Sequence, residues 1–128
     1  MTINGIIDAL DARKPNAYEQ ATKIDWLDKL DRMVYREVLE THEGGPESFD
    51  GYTEATDGET ELLIPDEYKD VYIYWLWAMV DFANQEMQRY ANSMTMFNTA
   101  YAEFGNWWNR THEPKTARWK GMDWRIRR

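Results

Sequence analysis

The chain has 128 residues, enough for one domain, and its fifteen Lys and Arg against twenty-three Asp and Glu leave a formal charge of −8. That balance excludes a protein that coats DNA through a net basic face, because such binding works by releasing counterions from neutralised phosphates. A 43% hydrophobic and 15% aromatic composition excludes a disordered acidic chain, and the absence of cysteine excludes disulfides, thiolate zinc sites, thiol nucleophiles and iron–sulfur clusters.

From Thr2 to Arg13 the residues Ile3, Ile6, Ile7 and Leu10 recur every three or four positions, which predicts a short helix with Thr2 as its cap. Lys14-Pro15-Asn16 ends it, because proline cannot extend the hydrogen-bond ladder. The N-terminus has no basic region followed by a long apolar run, so no signal peptide is expected. A second helix is expected to start at Thr22, with Asp25 three residues on. It runs to about residue 41 on Trp26, Leu27, Leu30, Met33, Val34 and Val38. Asp25/Lys29 and Asp28/Arg32 fall at i,i+4 in the favourable acid-first order, and Asp25, Asp28 and Asp31 read as a solvated face.

Glu43-Gly44-Gly45-Pro46 breaks the helical pattern. Residues 43–67 carry nine acidic side chains and no basic one. Asp-Gly pairs at 50–51 and 57–58 predict tight turns, and Tyr52–Thr56 with Glu59–Ile64 would make a small β-hairpin around the second. Leu62-Leu63-Ile64-Pro65 leads into the next helix.

From Asp66 to about Thr111 an apolar phase runs through Tyr68, Val71, Tyr72, Trp75, Met79, Phe82, Met87, Tyr90, Met94, Phe97, Tyr101, Phe104, Trp107 and Trp108. One continuous helix of that length would span about 68 Å, so a break or sharp bend is expected, near Asn92-Ser93. The longest uncharged apolar stretch, Val71 to Val80, is half of the roughly 20 residues that a bilayer span needs, so a soluble protein is expected. A helix apolar all round must be covered all round. Tyr72, Tyr74, Trp75 and Trp77 are therefore candidate contacts with another copy of the chain, Tyr and Trp being the residues that interfaces concentrate.

Charge divides the chain into two parts. Residues 1–112 hold nine basic and twenty-one acidic side chains; residues 113–128 hold six basic and two acidic. An acidic body of net −12 ends in a basic tail of net +4. The tail interleaves Trp119 and Trp124 with Lys115, Arg118, Lys120, Arg125, Arg127 and Arg128, a composition suited to stacking on nucleobases or docking into a groove on a protein. The acidic body favours protein docking.

Catalytic patterns are sparse. Glu37-x-x-Glu40 followed by Glu67-x-x-Asp70 reproduces the spacing by which all-α nucleoside triphosphate pyrophosphohydrolases hold magnesium with four carboxylates. In a chain this acidic, such spacing also arises by chance, and no partnering Lys or His stands out beside it. His42 and His112, each at a predicted helix C-terminus, form no zinc-binding pair. There is no glycine-rich phosphate loop, and Ser48 and Ser93 sit in no nucleophile elbow. No cofactor and no metal are expected, and the chain reads as a non-enzyme. An acidic inhibitor that mimics DNA is a further alternative.

A resemblance adds to this reading. Lys14-Pro-Asn-Ala-Tyr18, Tyr35-Arg-Glu37 leading to Glu40-Thr-His-Glu-Gly44, and Leu62-Leu-Ile-Pro65 resemble segments of the head–tail connector (adaptor) proteins of tailed phages and prophages. The likeness continues through Tyr68, Val71-Tyr72, Asp81, Asn84-Gln85-Glu86, Arg89-Tyr90, Phe97-Asn98, Ala100-Tyr101, Phe104 and Asn109-Arg-Thr-His112. It covers roughly residues 3–112, and its specificity lies in the order of the motifs.

The resemblance implies a small all-α bundle of about four helices and a structural role in the virion neck. It implies a homo-oligomeric ring, usually of twelve copies, below the portal protein. The ring extends the DNA channel to the next neck or tail component, a head-completion or stopper protein. DNA would pass without specific binding and no membrane would be involved. In that family the C-terminal segment commonly reaches into the portal, which makes Trp119, Trp124, Arg125, Ile126, Arg127 and Arg128 the candidate portal contacts. Residues 1–112 would then form the connector domain, with an acidic loop or hairpin at 43–64, and residues 113–128 an extended docking tail.

Overall fold

The computed structural model describes residues 1–115; the portal-contact candidates Trp119, Trp124, Arg125, Ile126, Arg127 and Arg128 lie outside the described residues. Four α-helices organise the chain: α1 (Ile3–Arg13), α2 (Gln20–Glu37), α3 (Asp70–Ala83) and α4 (Met87–Thr111), with short 3-10 turns at Leu39–Thr41 and Asp66–Tyr68. α3 and α4 form the most extensive helix pair, and α1 and α2 both pack against α3. The all-α expectation holds.

Thr2 caps α1 as expected, its hydroxyl accepting from the Gly5 N–H at 3.0 Å. Ile3, Ile6, Ile7 and Leu10 are all buried on one face. α2 begins two residues before Thr22, with Glu19 in extended backbone at the cap position and no side-chain cap bond. It ends at Glu37, and a 3-10 turn carries the chain on to Thr41. The two i,i+4 ion pairs form, Lys29–Asp25 at 3.3 Å and Arg32–Asp28 at 3.0 Å.

The expected hairpin does not form: among the described residues there are only two isolated bridges, Thr2 with Glu61 and His42 with Pro114. Asp57-Gly58 does turn the chain, with the Thr60 N–H donating to the Asp57 carbonyl at 3.0 Å. The flanking residues find other partners. Gly58 and Thr60 carbonyls accept from Asn4 and Ile3 N–H groups, and the Leu62 N–H donates to the Met1 carbonyl. The first N–H groups of a helix have no partner within it, and Gly58 and Thr60 supply acceptors to α1 instead of pairing with residues 52–56.

The break between α3 and α4 falls at Asn84-Gln85-Glu86, not near Asn92-Ser93. Gln85 has φ 60, the left-handed region. The Glu86 N–H donates to the Asp81 carbonyl at 2.9 Å and the Gln85 N–H to the Phe82 carbonyl at 3.0 Å. That pair of bonds is a Schellman ending, usually built on glycine. A glutamine in the glycine position carries no breaker signal, so the turn is silent in the sequence. The turn also resets the helical phase. Phe82 and Met87, read from sequence as part of the core stripe, are 55% and 48% exposed.

Candidate functional site

The polar centre of the fold is Asp31, which sequence placed on a wet face and which is fully buried. Tyr52 Oη donates to its Oδ2 at 2.5 Å, the Leu63 N–H to the same oxygen at 3.1 Å, and Tyr72 Oη to Oδ1 at 2.7 Å. Tyr72 Oη in turn accepts from the Ile64 N–H at 2.8 Å. Burial pushes the Asp31 carboxyl up to about 6, against the opposing pull of the three donors. Burial and the adjacent carboxylate likewise raise Tyr72 well above the usual phenol range. This cluster fastens the 52–64 loop to α2 and α3.

Asp28 adds to that attachment by accepting from the Tyr52 N–H at 2.8 Å. Gly51 (φ 88) lies close against it: any Cβ there would collide with the Arg32 guanidinium and the Asp28 carboxylate.

A second buried acid, Asp81 on α3, pairs with Lys14 at 2.5 Å and accepts from Ser93 Oγ of α4 at 3.0 Å. Lys23, also buried, pairs with Asp11 at 2.8 Å. Tyr18 Oη donates to Asn84 at 2.5 Å, and Tyr101 Oη to Glu37 at 3.0 Å. Buried charge is costly unless paired and hydrogen-bonded, and each of these acids has a named partner.

The four candidate subunit contacts separate. Tyr72 is inside the core, so it has no surface to offer a second copy; its hydroxyl explains why a tyrosine stands there. Trp75 is part-buried and ties α3 to its neighbours: its indole N–H donates to the Trp26 carbonyl at 2.9 Å, and its ring lies 5.2 Å from that of Phe97. Trp77 is part-buried under Lys14, and its indole N–H has no hydrogen-bond partner among the described residues. Tyr74 lies 5.6 Å from Trp77 and lines a hollow of about 270 Å³ between α3 and α4. Phe82, stacked obliquely on Tyr90 at 5.2 Å, and Met87 form an exposed apolar tip where α3 turns into α4. The helical phase assigned these residues to the core, so sequence missed the tip.

The four carboxylates of the pyrophosphohydrolase spacing do not converge. Among the described residues no group of three or more His, Cys, Asp or Glu side chains is placed to hold a metal. Glu37 is engaged by Tyr101, and Glu40 lines a hollow with Arg32 and Arg36. Glu67 and Asp70 line the α3–α4 hollow.

The root of the C-terminal tail is held in place. His112 stacks on Trp108 with ring centroids 3.5 Å apart, and its Nδ1 lies 3.0 Å from the Trp108 carbonyl. The Glu43 N–H donates to the Glu113 carbonyl at 2.7 Å, beside the His42–Pro114 bridge. Gly44 (φ 99) passes so close to His112 that a Cβ would be in contact with its ring.

No helix among the described residues is long and apolar enough to cross a membrane. No protein-family model, no curated protein and no solved structure matches the chain.

Proposed function

We propose that the chain is a subunit of a phage head–tail connector. Copies assemble as a homomeric ring, twelve in number, below the portal, and carry the DNA channel on to a head-completion or stopper protein in the virion neck. The observation that carries this reading is that the residues of the connector resemblance are partners of one another across elements. Lys14 pairs with Asp81, Tyr18 with Asn84, Tyr101 with Glu37, and Tyr68 packs on Phe104 with ring centroids 5.7 Å apart. A set of motifs that together hold four helices in register is what a structural family needs, and none of them is catalytic.

Two further features support the reading. The Phe82/Tyr90/Met87 tip supplies an exposed apolar contact of the kind that a ring interface covers. The body's net −12 suits a channel that lets DNA pass without gripping it, since like charge keeps the duplex away. The tail, with Trp119, Trp124, Arg125, Ile126, Arg127 and Arg128, is the portal anchor in this reading.

Negative-stain microscopy of the chain mixed with the portal protein of the same genome tests it. Rings on the portal are expected, and deletion of residues 116–128 is expected to abolish attachment with the helical circular-dichroism signal retained. Full attachment of the shortened chain would overturn the tail assignment.

A further inference from the structure

We infer that the groove between α3 and α4 is a docking site for the chain's own C-terminal tail, residues 116–128. The inference concerns the free chain and does not rest on the connector reading, in which the same tail leaves the groove to meet the portal.

The groove has an apolar floor and an acidic rim. Tyr68, Tyr74 and the half-exposed Met96 form the floor, and Glu67, Asp70 and Glu103 stand around it. None of the three carboxylates has an ion-pair partner among the described residues. Lys69, between two of them in sequence, is exposed and lies within the field of Asp66. A peptide that fits must bring cations and a large flat apolar group. The tail has six cations from Lys115 onward and two tryptophans.

Where the described chain ends is the second line of support. The groove continues along α4 as a series of hollows. The next one shares Tyr68 and Glu103 and extends to Arg110. The last shares Arg110 and runs to Pro114, where the tail begins. The Pro114 bridge to His42 and the Glu43–Glu113 hydrogen bond fix that starting point. From Thr111, the last residue of α4, back to Ala100 is eleven residues of helix, about 17 Å at 1.5 Å each. Extended chain at about 3.3 Å per residue covers that distance in about five residues. Starting from Lys115, this brings Trp119, between Arg118 and Lys120, over the Tyr74/Met96 floor. A tail rooted at one end of a groove is at high effective concentration for it, so modest contacts suffice.

Because the chain has no cysteine, Met122→Cys in the full-length protein accepts a single nitroxide label. The Met96 methyl signal, assigned through Met96→Leu, is then read by NMR in methyl-labelled protein diluted with unlabelled chain. The nitroxide should reduce that signal by at least half relative to a diamagnetic label. Asp70→Lys/Glu103→Lys, both exposed positions, should restore it, as should Trp119→Ala, which lies outside the described core. Three results would overturn the inference: an unperturbed Met96 signal, a perturbation that survives the charge reversal, or an equal perturbation when nitroxide and methyl label are on different chains. The last would place a second copy's tail in the groove.

Discussion

Asp31 accepts three hydrogen bonds in a place that solvent does not reach. Removing the acceptor in Asp31→Ala strands two phenol hydroxyls and a backbone N–H, and each buried unsatisfied donor costs about 1–3 kcal/mol. A loss of roughly 3 kcal/mol or more in urea unfolding is expected. The pH dependence has a definite sign. With its folded value raised to about 6 from the ordinary 3.8, the group's contribution is fully present below pH 3.8 and is lost as pH rises through 6. Acidification from pH 7 to pH 5 should therefore add about 1 kcal/mol from this group. Asp31→Asn should remove that part of the slope, which urea midpoints of both proteins at the two pH values would show. Sequence reading missed the cluster for a physical reason. Asp25, Asp28 and Asp31 share a spacing, and only the return of residues 52–64 over α2 decides which of the three is covered. Tyr52 and Tyr72, distant in the chain, were the signal: buried tyrosines need acceptors.

Gln85 shows what the same kind of reasoning means for whole elements. A non-glycine residue in the left-handed region carries backbone strain of about 1 kcal/mol, so Gln85→Gly is expected to leave thermal stability unchanged or raise it by up to about 1 kcal/mol. Gln85→Val should lower it by more than that, as branched side chains tolerate this conformation worst. Thermal melts of the two variants decide the matter. Lys14→Met is expected to cost roughly 3 kcal/mol, because it leaves Asp81 buried beside Ser93 without its cation. Asp81→Asn in the same chain should recover part of that loss. α1 and its cap, the α2 ion pairs and the helical character of residues 70–111 were legible because each depends on residues close in sequence. The hairpin and the position of the α3–α4 break were not. The first was lost to competition from the free N–H groups of α1, and the second was concealed by a glutamine in a glycine's place.

At the scale of the whole molecule, the four helices hold together through pairs that join distant parts of the chain, and the charged and aromatic features left over lie at its periphery. The Phe82/Tyr90/Met87 tip faces outward at one end of the α3–α4 pair, and the Glu67/Asp70/Glu103 rim lies nearer the other. Sequence distinguished the acidic body from the basic tail through charge alone. It could not locate the outward-facing apolar residues, because the period of an apolar stripe is the same whether the stripe meets the core or a neighbour. If the tip is a ring contact, Phe82→Asp/Met87→Asp should leave the helical signal intact and shift the assembled species toward monomer, as light scattering coupled to size exclusion would read. The most direct test of the connector proposal is electron microscopy of the full-length chain bound to the portal of its own genome. The prediction is a second ring of twelve subunits coaxial with the portal at its base. Portal particles left bare at saturating concentrations of the chain would contradict it.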